Sequence, residues 1–180
     1  MPKLYSKEEA PKAIFDGKEV YIYTHGYVSE VCHGVKEHDK HSIEEMAYFL
    51  ASLIEEDCFL VPAPQHTGKA EYTLEICKII EKICPYEVTI LDVLDCPPRE
   101  TLWAIKKAIQ AQNGVASFTK EDLAKVKAGI SLKQAFDMIE GTIYFVDNVV
   151  STGITLKEVE KLIPGVRPLV FAVSEKYLWS

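Results

Sequence analysis

The stretch GTIYFVDNVVSTGITL, Gly141 to Leu156, limits the folds open to this chain more than any other segment does. Tyr144, Phe145 and Val146 read as a buried strand. The chain is expected to turn at Asp147 and Asn148, the carboxyl end at which open α/β sheets place their ligands. From Thr155 to Ile163 the spacing becomes helical, with Leu156, Val159, Leu162 and Ile163 on one side and Pro164-Gly165 as a stop. A helix beginning there leaves the backbone N–H groups of Ser151, Thr152, Gly153, Ile154 and Thr155 without helical partners. Such a joint can wrap a phosphate, assisted by the Thr152 and Thr155 hydroxyls, and Gly153 permits close approach. A plain strand–turn–helix joint capped by Thr155 is the alternative. The coincidence of apolar run, acid, hydroxyls and glycine favours a phosphate and sugar site.

Strand-like runs alternate with helical ones along the rest of the chain, which predicts an α/β fold with a Rossmann-like parallel sheet flanked by helices, in one domain covering residues 1–180. Glu19 to Thr24 is a first strand, with Val28 to Cys32 pairing against it across a His25-Gly26 turn. Ser42 to Glu56 is a helix with Ser42 and Glu45 as its capping box and Ile43, Met46, Ala47, Leu50, Leu53 and Ile54 on one face. Cys58 to Val61 and Glu87 to Leu91 are strands on either side of a helix from Ala70 to Ile83, and Arg167 to Ser174 is the last strand. Between them, residues 92–140 exceed a plain crossover. Pro97-Pro98 and helical stretches over Thr101–Gln112 and Lys120–Ile139 mark this insertion as a hood, lid or flexible catalytic loop.

Val61-Pro-Ala-Pro-Gln-His-Thr-Gly-Lys-Ala70 also joins a strand end to a helix start. It is not a P-loop: Ala63 stands where the first glycine belongs, and Ala70 where Ser or Thr must follow the lysine. Its prolines can simply end an edge strand, or its Thr67, Gly68 and Lys69 can hold a second phosphate. Cys32, His33, His38 and His41 cluster, yet their spacing matches no standard zinc site, and solvated residues ahead of a helix are the simpler reading. His25 reads as a turn residue, and His66 as either a loop residue or a donor to substrate phosphate. Arg99, Lys106 and Lys107 can reach an anion if the insertion closes. Tyr177 and Trp179 can stack on a planar base or cover the end of the core.

Phe145-Val-Asp-Asn-Val-Val-Ser-Thr-Gly-Ile-Thr155 resembles the phosphoribosyl pyrophosphate (PRPP) signature of the type I phosphoribosyltransferases, with Asn148 in place of the usual second acid. Val61-Pro-Ala-Pro64 is similar to the Val-Pro-x-Pro of the ComF-like branch, whose lysine before the first long helix Lys36 can match. The chain lacks that branch's amino-terminal zinc-ribbon cysteines and is poor in hood arginines, so a DNA-uptake role does not carry over. The resemblance implies the phosphoribosyltransferase fold. It implies transfer of ribosyl 5-phosphate from PRPP to a nitrogen nucleophile, a nucleobase or related compound, with release of pyrophosphate. In that scheme Asp147, Asn148 and Arg99 are catalytic, and Ser151, Thr152, Gly153, Ile154 and Thr155 hold the 5′-phosphate. Ala63, Pro64, Gln65, His66, Thr67 and Lys69 hold pyrophosphate, and Tyr177 and Trp179 stack on the base. Mg²⁺ is the expected cofactor, bound mainly through substrate with Asp147 nearby. A regulatory module that binds PRPP or a nucleotide without turnover suits the same pocket.

Composition narrows the partners. Twenty basic against twenty-seven acidic residues give a net charge of −7, which disfavours a nonspecific nucleic-acid surface. PRPP and a small-molecule acceptor are the expected partners, and a homodimer is compatible with them. The five cysteines include no C-x-x-C pair and several lie in apolar runs, as reduced buried thiols do. The charged amino terminus lacks a signal-peptide core, and no stretch has the length of a membrane span, so a cytoplasmic enzyme with no membrane partner is expected.

Overall fold

The computed structural model of the protein describes residues 1–98, 107, 108, 111, 129–133 and 139–179. It is an α/β structure built on a six-stranded sheet in the order β1-β2-β8-β7-β3-β4, parallel except for the β1–β2 hairpin. The hairpin joins β1 (Lys12–Phe15) to β2 (Lys18–Ile22) through Asp16-Gly17, both at positive φ (52° and 75°). That Asp-Gly pair is the tight-turn signal that sets the register of a two-residue hairpin. The partners of β2 are therefore β1 and β8 (Arg167–Val173), not the segment after Gly26.

Val28 to Cys32, expected as a strand, lies in helix α1 (Tyr27–Lys36). Val28, Val31, Cys32 and Val35 recur at helical spacing and are all buried, so one face of a helix satisfies them together. Helix α2 (Lys40–Ser52) starts earlier than expected because Asp39 is its N-cap, accepting from Ser42 N (2.9 Å) and Ser42 Oγ (2.8 Å). Ser42 is inside the helix, and Glu45 accepts from the Tyr27 hydroxyl (2.6 Å) and Lys7 (2.7 Å) instead of closing a capping box. The helix also ends at Ser52, short of the expected Glu56.

Strand β3 (Cys58–Pro62) leads through the Pro64–Lys69 loop to α3 (Tyr72–Ile83) and β4 (Val88–Ile90). Short β5 (Leu94–Asp95) pairs antiparallel with β6 (Ser131–Leu132). Gly129 has φ 71°, and β6 follows it, so residues 129–133 of the helix expected over Lys120–Ile139 are not helical. Most of the rest of the insertion, with Arg99 and Lys106, lies outside the described residues; Lys107 is exposed.

Strand β7 (Thr142–Val150) crosses the middle of the sheet between β3 and β8 and does not turn at Asp147. Tyr144 and Val146 pack with α1, α2 and α3, whereas Ile143 and Phe145 pack with Leu156, Val159 and Ile163 of the α4 (Ile154–Leu162) side. Strict alternation then breaks. Val149 packs on the α1–α3 side and Val150 on the other, and β8 changes phase with it: Leu169, Phe171 and then Ala172 face α1–α3, and Val170 and then Val173 face away. Because both strands shift together, pairing is kept at Val149↔Ala172 and Val150↔Val173. Asp147, opposite Val170 just before this shift, is close enough to Cys32 and Tyr72 for its charge to raise the pKa of both. A four-residue helix, α5 (Glu175–Leu178), follows β8.

Among the described residues, no helix is long and apolar enough to cross a membrane. The five cysteines are free thiols, four of them buried. Leu60, fully buried in β3, is paired with Ile90 on one side and Tyr144 on the other. Leu60→Ala is expected to lower unfolding free energy by about 2–5 kcal/mol, since flanking strands on both sides limit collapse of the cavity. Urea denaturation measures this, and a loss under about 1 kcal/mol would show that the sheet centre relaxes freely.

Candidate functional site

A cleft of about 440 Å³ opens at the carboxyl ends of β2, β3, β7 and β8. It is lined by Asp147, Asn148, Ser151, Thr152, Gly153 and Thr155 from the β7–α4 joint and by Pro64, Gln65 and His66 from the loop after β3. The two segments singled out by sequence thus meet on one cavity. Ile154 begins α4 without lining the cleft, Thr67 and Lys69 are exposed outside the lining, and Ala63 is buried beneath it.

Gly153 is the N-cap of α4 and has φ 78°, a left-handed conformation that costs a residue with a β-carbon free energy. A β-carbon there would also collide with the Tyr177 ring. Tyr177 stacks edge-on to Phe15 (centroids 6.0 Å apart), and its backbone N–H donates to Ser174 Oγ (3.2 Å). The Ser174 hydroxyl in turn donates to the Ser151 carbonyl (2.8 Å), and the Ser174 N–H to Val150 O (2.8 Å). Since a trans peptide holds its C=O and N–H in opposite directions, the Ser174 bond also sets the direction of the Thr152 N–H. Residues 174–177 therefore brace the joint from behind. Neither Tyr177 nor Trp179 lines the cleft, and Trp179 is 78% exposed.

The opposite loop is tied by its own side chain. Gln65 Nε2 donates to Ala63 O (2.8 Å) and Thr73 Oγ1 (3.2 Å), and its Oε1 accepts from the Glu71 N–H. Gln65 N donates to Lys69 O and Gly68 N to Gln65 O, both at 2.9 Å, so the loop closes on itself and leaves His66 exposed at the rim. Gly68 has φ 95° and sits against the Cys96 carbonyl, docking the foot of the insertion on this loop.

Tyr23, Cys32, Tyr72 and Ser174 line the cleft as well and were not singled out as site residues; Lys36, from the last turn of α1, joins them. They come from strand ends, the body and end of α1 and the start of α3, which become neighbours only through the strand order. Burial pushes the Cys32 thiol up to about 12, opposed by Lys36 and reinforced by Asp147. Burial, then the Asp147 charge, holds the Tyr72 hydroxyl well above its ordinary value, and burial raises Tyr23. All three are neutral at physiological pH. Cys32 is thus no thiolate nucleophile. Asp147, half-buried, is the only carboxylate among the described lining residues, and its Oδ1 accepts from Asn148 N (2.8 Å). Asn148, 3% exposed, accepts from Val149 N (2.8 Å), while its Nδ2 is buried with no partner among the described residues.

Among the described residues no group of three His, Cys, Asp or Glu side chains can hold a metal, and His38 of the Cys32–His41 cluster points instead to Glu75 (3.2 Å) and Glu71 (3.8 Å). The one carboxylate suits an ion held mostly by ligand oxygens, the usual manner of Mg²⁺. No family model matches the chain, and no curated protein matches it.

Taken as a phosphate site, the joint predicts that Gly153→Ala weakens binding of a phosphorylated ligand at least about tenfold, through the left-handed φ and the displaced Tyr177 ring together. Adding Tyr177→Ala to it should recover part of the loss by removing the collision. Calorimetric titration of both variants checks this. Unchanged affinity in a folded Gly153→Ala protein would remove the joint from the binding site.

Proposed function

We propose that the protein is a phosphoribosyltransferase of type I fold that transfers ribosyl 5-phosphate from PRPP to a nitrogen nucleophile and releases pyrophosphate. The observation that carries this reading is the convergence on one cleft of the β7–α4 joint, Asp147 and the Pro64–His66 loop. The joint offers helix-start N–H groups and threonine hydroxyls to a 5′-phosphate, the second loop and Lys36 offer donors and positive charge to pyrophosphate, and Asp147 in the same lining offers an acceptor for ribose hydroxyls. Mg²⁺, held by the ligand with Asp147 beside it, would neutralise pyrophosphate as a leaving group.

The chemistry asked of the chain is positioning and charge stabilisation. As the C1′–O bond to pyrophosphate breaks, C1′ gains positive character, which the Asp147 carboxylate favours. With Cys32, Tyr72 and Tyr23 neutral, the described lining offers no base other than Asp147 and His66, which suits an acceptor that is already nucleophilic. Arg99 is the further candidate for pyrophosphate. A cytoplasmic location and a free, diffusing acceptor complete the proposal, and homodimer formation is compatible with it.

Asn148 favours a second reading, a module that binds PRPP or a nucleotide without turnover. A negative charge about 5 Å from C1′ at an effective dielectric near 20 is worth about 3 kcal/mol, or about a hundredfold in rate, and Asn148 does not supply it. The deciding experiment incubates the protein with PRPP, Mg²⁺ and a panel of bases and amines while pyrophosphate is followed. Transfer predicts acceptor-dependent release that Asp147→Ala reduces at least about a hundredfold while the fold persists. Saturable PRPP binding without release would support the binding module, and the absence of both would exclude either reading.

A further inference from the structure

The last pair of the β7–β8 ladder, Val150↔Val173, is extended by a bond from Ser174 N to Val150 O (2.8 Å), which sets Ser174 beside Ser151. There the Ser174 proton is committed. The hydroxyl oxygen accepts from Tyr177 N (3.2 Å), and its one proton goes to Ser151 O (2.8 Å). A hydroxyl that accepts in this way donates more strongly, so the two bonds reinforce each other. Although Ser174 lines the cleft, it has only lone pairs left to offer there, and lone pairs repel an anion. Thr152 and Gly153 are in the opposite condition. Both line the cleft, and neither backbone N–H has an acceptor among the described residues.

We propose that Ser174 is a positioning residue for the β7–α4 joint: through the Ser151–Thr152 peptide it aims the Thr152 N–H at a phosphate oxygen that Ser174 itself does not touch. This rests on the phosphate reading of that joint. Because the peptide is planar and trans, holding its carbonyl at Ser174 points its N–H the other way and denies it the rotation that would present an oxygen to the anion. A flipped peptide would set the negative end of its dipole against the phosphate in place of a donor. One hydroxyl therefore decides the sign of the local field. The same turn holds the joint a second time, since the Tyr177 ring fills the place where a Gly153 β-carbon would stand. With Tyr177 N–H supporting the Ser174 hydroxyl, the short helix α5 and an anion at the joint are linked: whatever the bond adds to anion binding, a bound anion returns to the bond.

Ser174→Ala removes the hydroxyl and Ser174→Thr keeps it, so the test titrates ribose 5-phosphate calorimetrically into the full chain in all three forms. Loss of the bond predicts that Ser174→Ala binds at least about fourfold more weakly, while Ser174→Thr stays within about twofold of wild type. On saturation, the Thr152 amide proton should move downfield by NMR in wild type and Ser174→Thr, and less in Ser174→Ala. A folded Ser174→Ala protein that loses less than about fourfold overturns the proposal. So does a Ser174→Thr protein outside its limit, since packing and not the hydroxyl would then be responsible, and so does an equal amide shift in all three. Should Ser174→Ala fail to fold, amide exchange in the wild type decides: by reciprocity the ligand must slow exchange at Tyr177 N–H at least about fourfold, and unchanged exchange overturns the role. No saturable binding of ribose 5-phosphate to wild type would remove the phosphate reading of the joint, whereas binding that Ser174→Ala leaves intact removes only the role given to Ser174.

Discussion

The pairing of β7 between β3 and β8 is the constraint on which the rest of the molecule depends. Two parallel neighbours satisfy its backbone on both edges, and Tyr144, Phe145 and Val146 are buried from both faces. A strand so held cannot slip by one residue without exposing a whole apolar set. The joint change of phase in β7 and β8 is therefore a local device: just past Asp147 and Asn148 it turns Val149 and Ala172 toward α1–α3 while the pairing continues to Val150. An acid and an amide stand at the mouth of a sheet that is otherwise apolar at this depth.

The electrostatic character of the cleft follows from burial more than from charge count. The chain as a whole is acidic, yet the described lining has a single carboxylate together with Lys36 and His66, and phenols and a thiol kept neutral by desolvation. A low-dielectric floor strengthens what few polar contacts a ligand makes. Backbone N–H groups at the start of α4 add to the attraction for an anion without any formal charge.

Much of this was legible in the sequence where pattern and chemistry coincide locally. The β7–α4 joint shows an apolar run, hydroxyls and a glycine in succession, and β3, α3, β4, α4 and β8 appear within a few residues of the positions read from periodicity. The failures are equally local. Val28 to Cys32 has both β-branched residues and helical spacing, and the spacing prevails because a helix buries Val28, Val31, Cys32 and Val35 on one face. Asp39 outcompetes Ser42 as cap, and Asp16-Gly17 gives β2 a partner that precedes it. Tyr23, Cys32 and Tyr72 were illegible as lining residues for another reason: nothing in their own surroundings marks them, and only the strand order makes them neighbours of Asp147. Likewise the contact of Tyr177 with Gly153 needs the return of β8 beside β7.

That return has a kinetic meaning. Tyr21 of β2 is paired with Ala172 of β8, so the hairpin near the start of the chain docks on the sheet through a strand made almost at its end. Closure of so long a loop is slow relative to local helix formation, and α1, α2 and α3 can assemble well before it. The cleft, which takes Tyr23 from the one side and Ser174 from the other, comes into being only at that late step. A ligand that binds there binds the completed sheet and no earlier intermediate, and so draws the whole folding equilibrium toward the native state in proportion to its concentration.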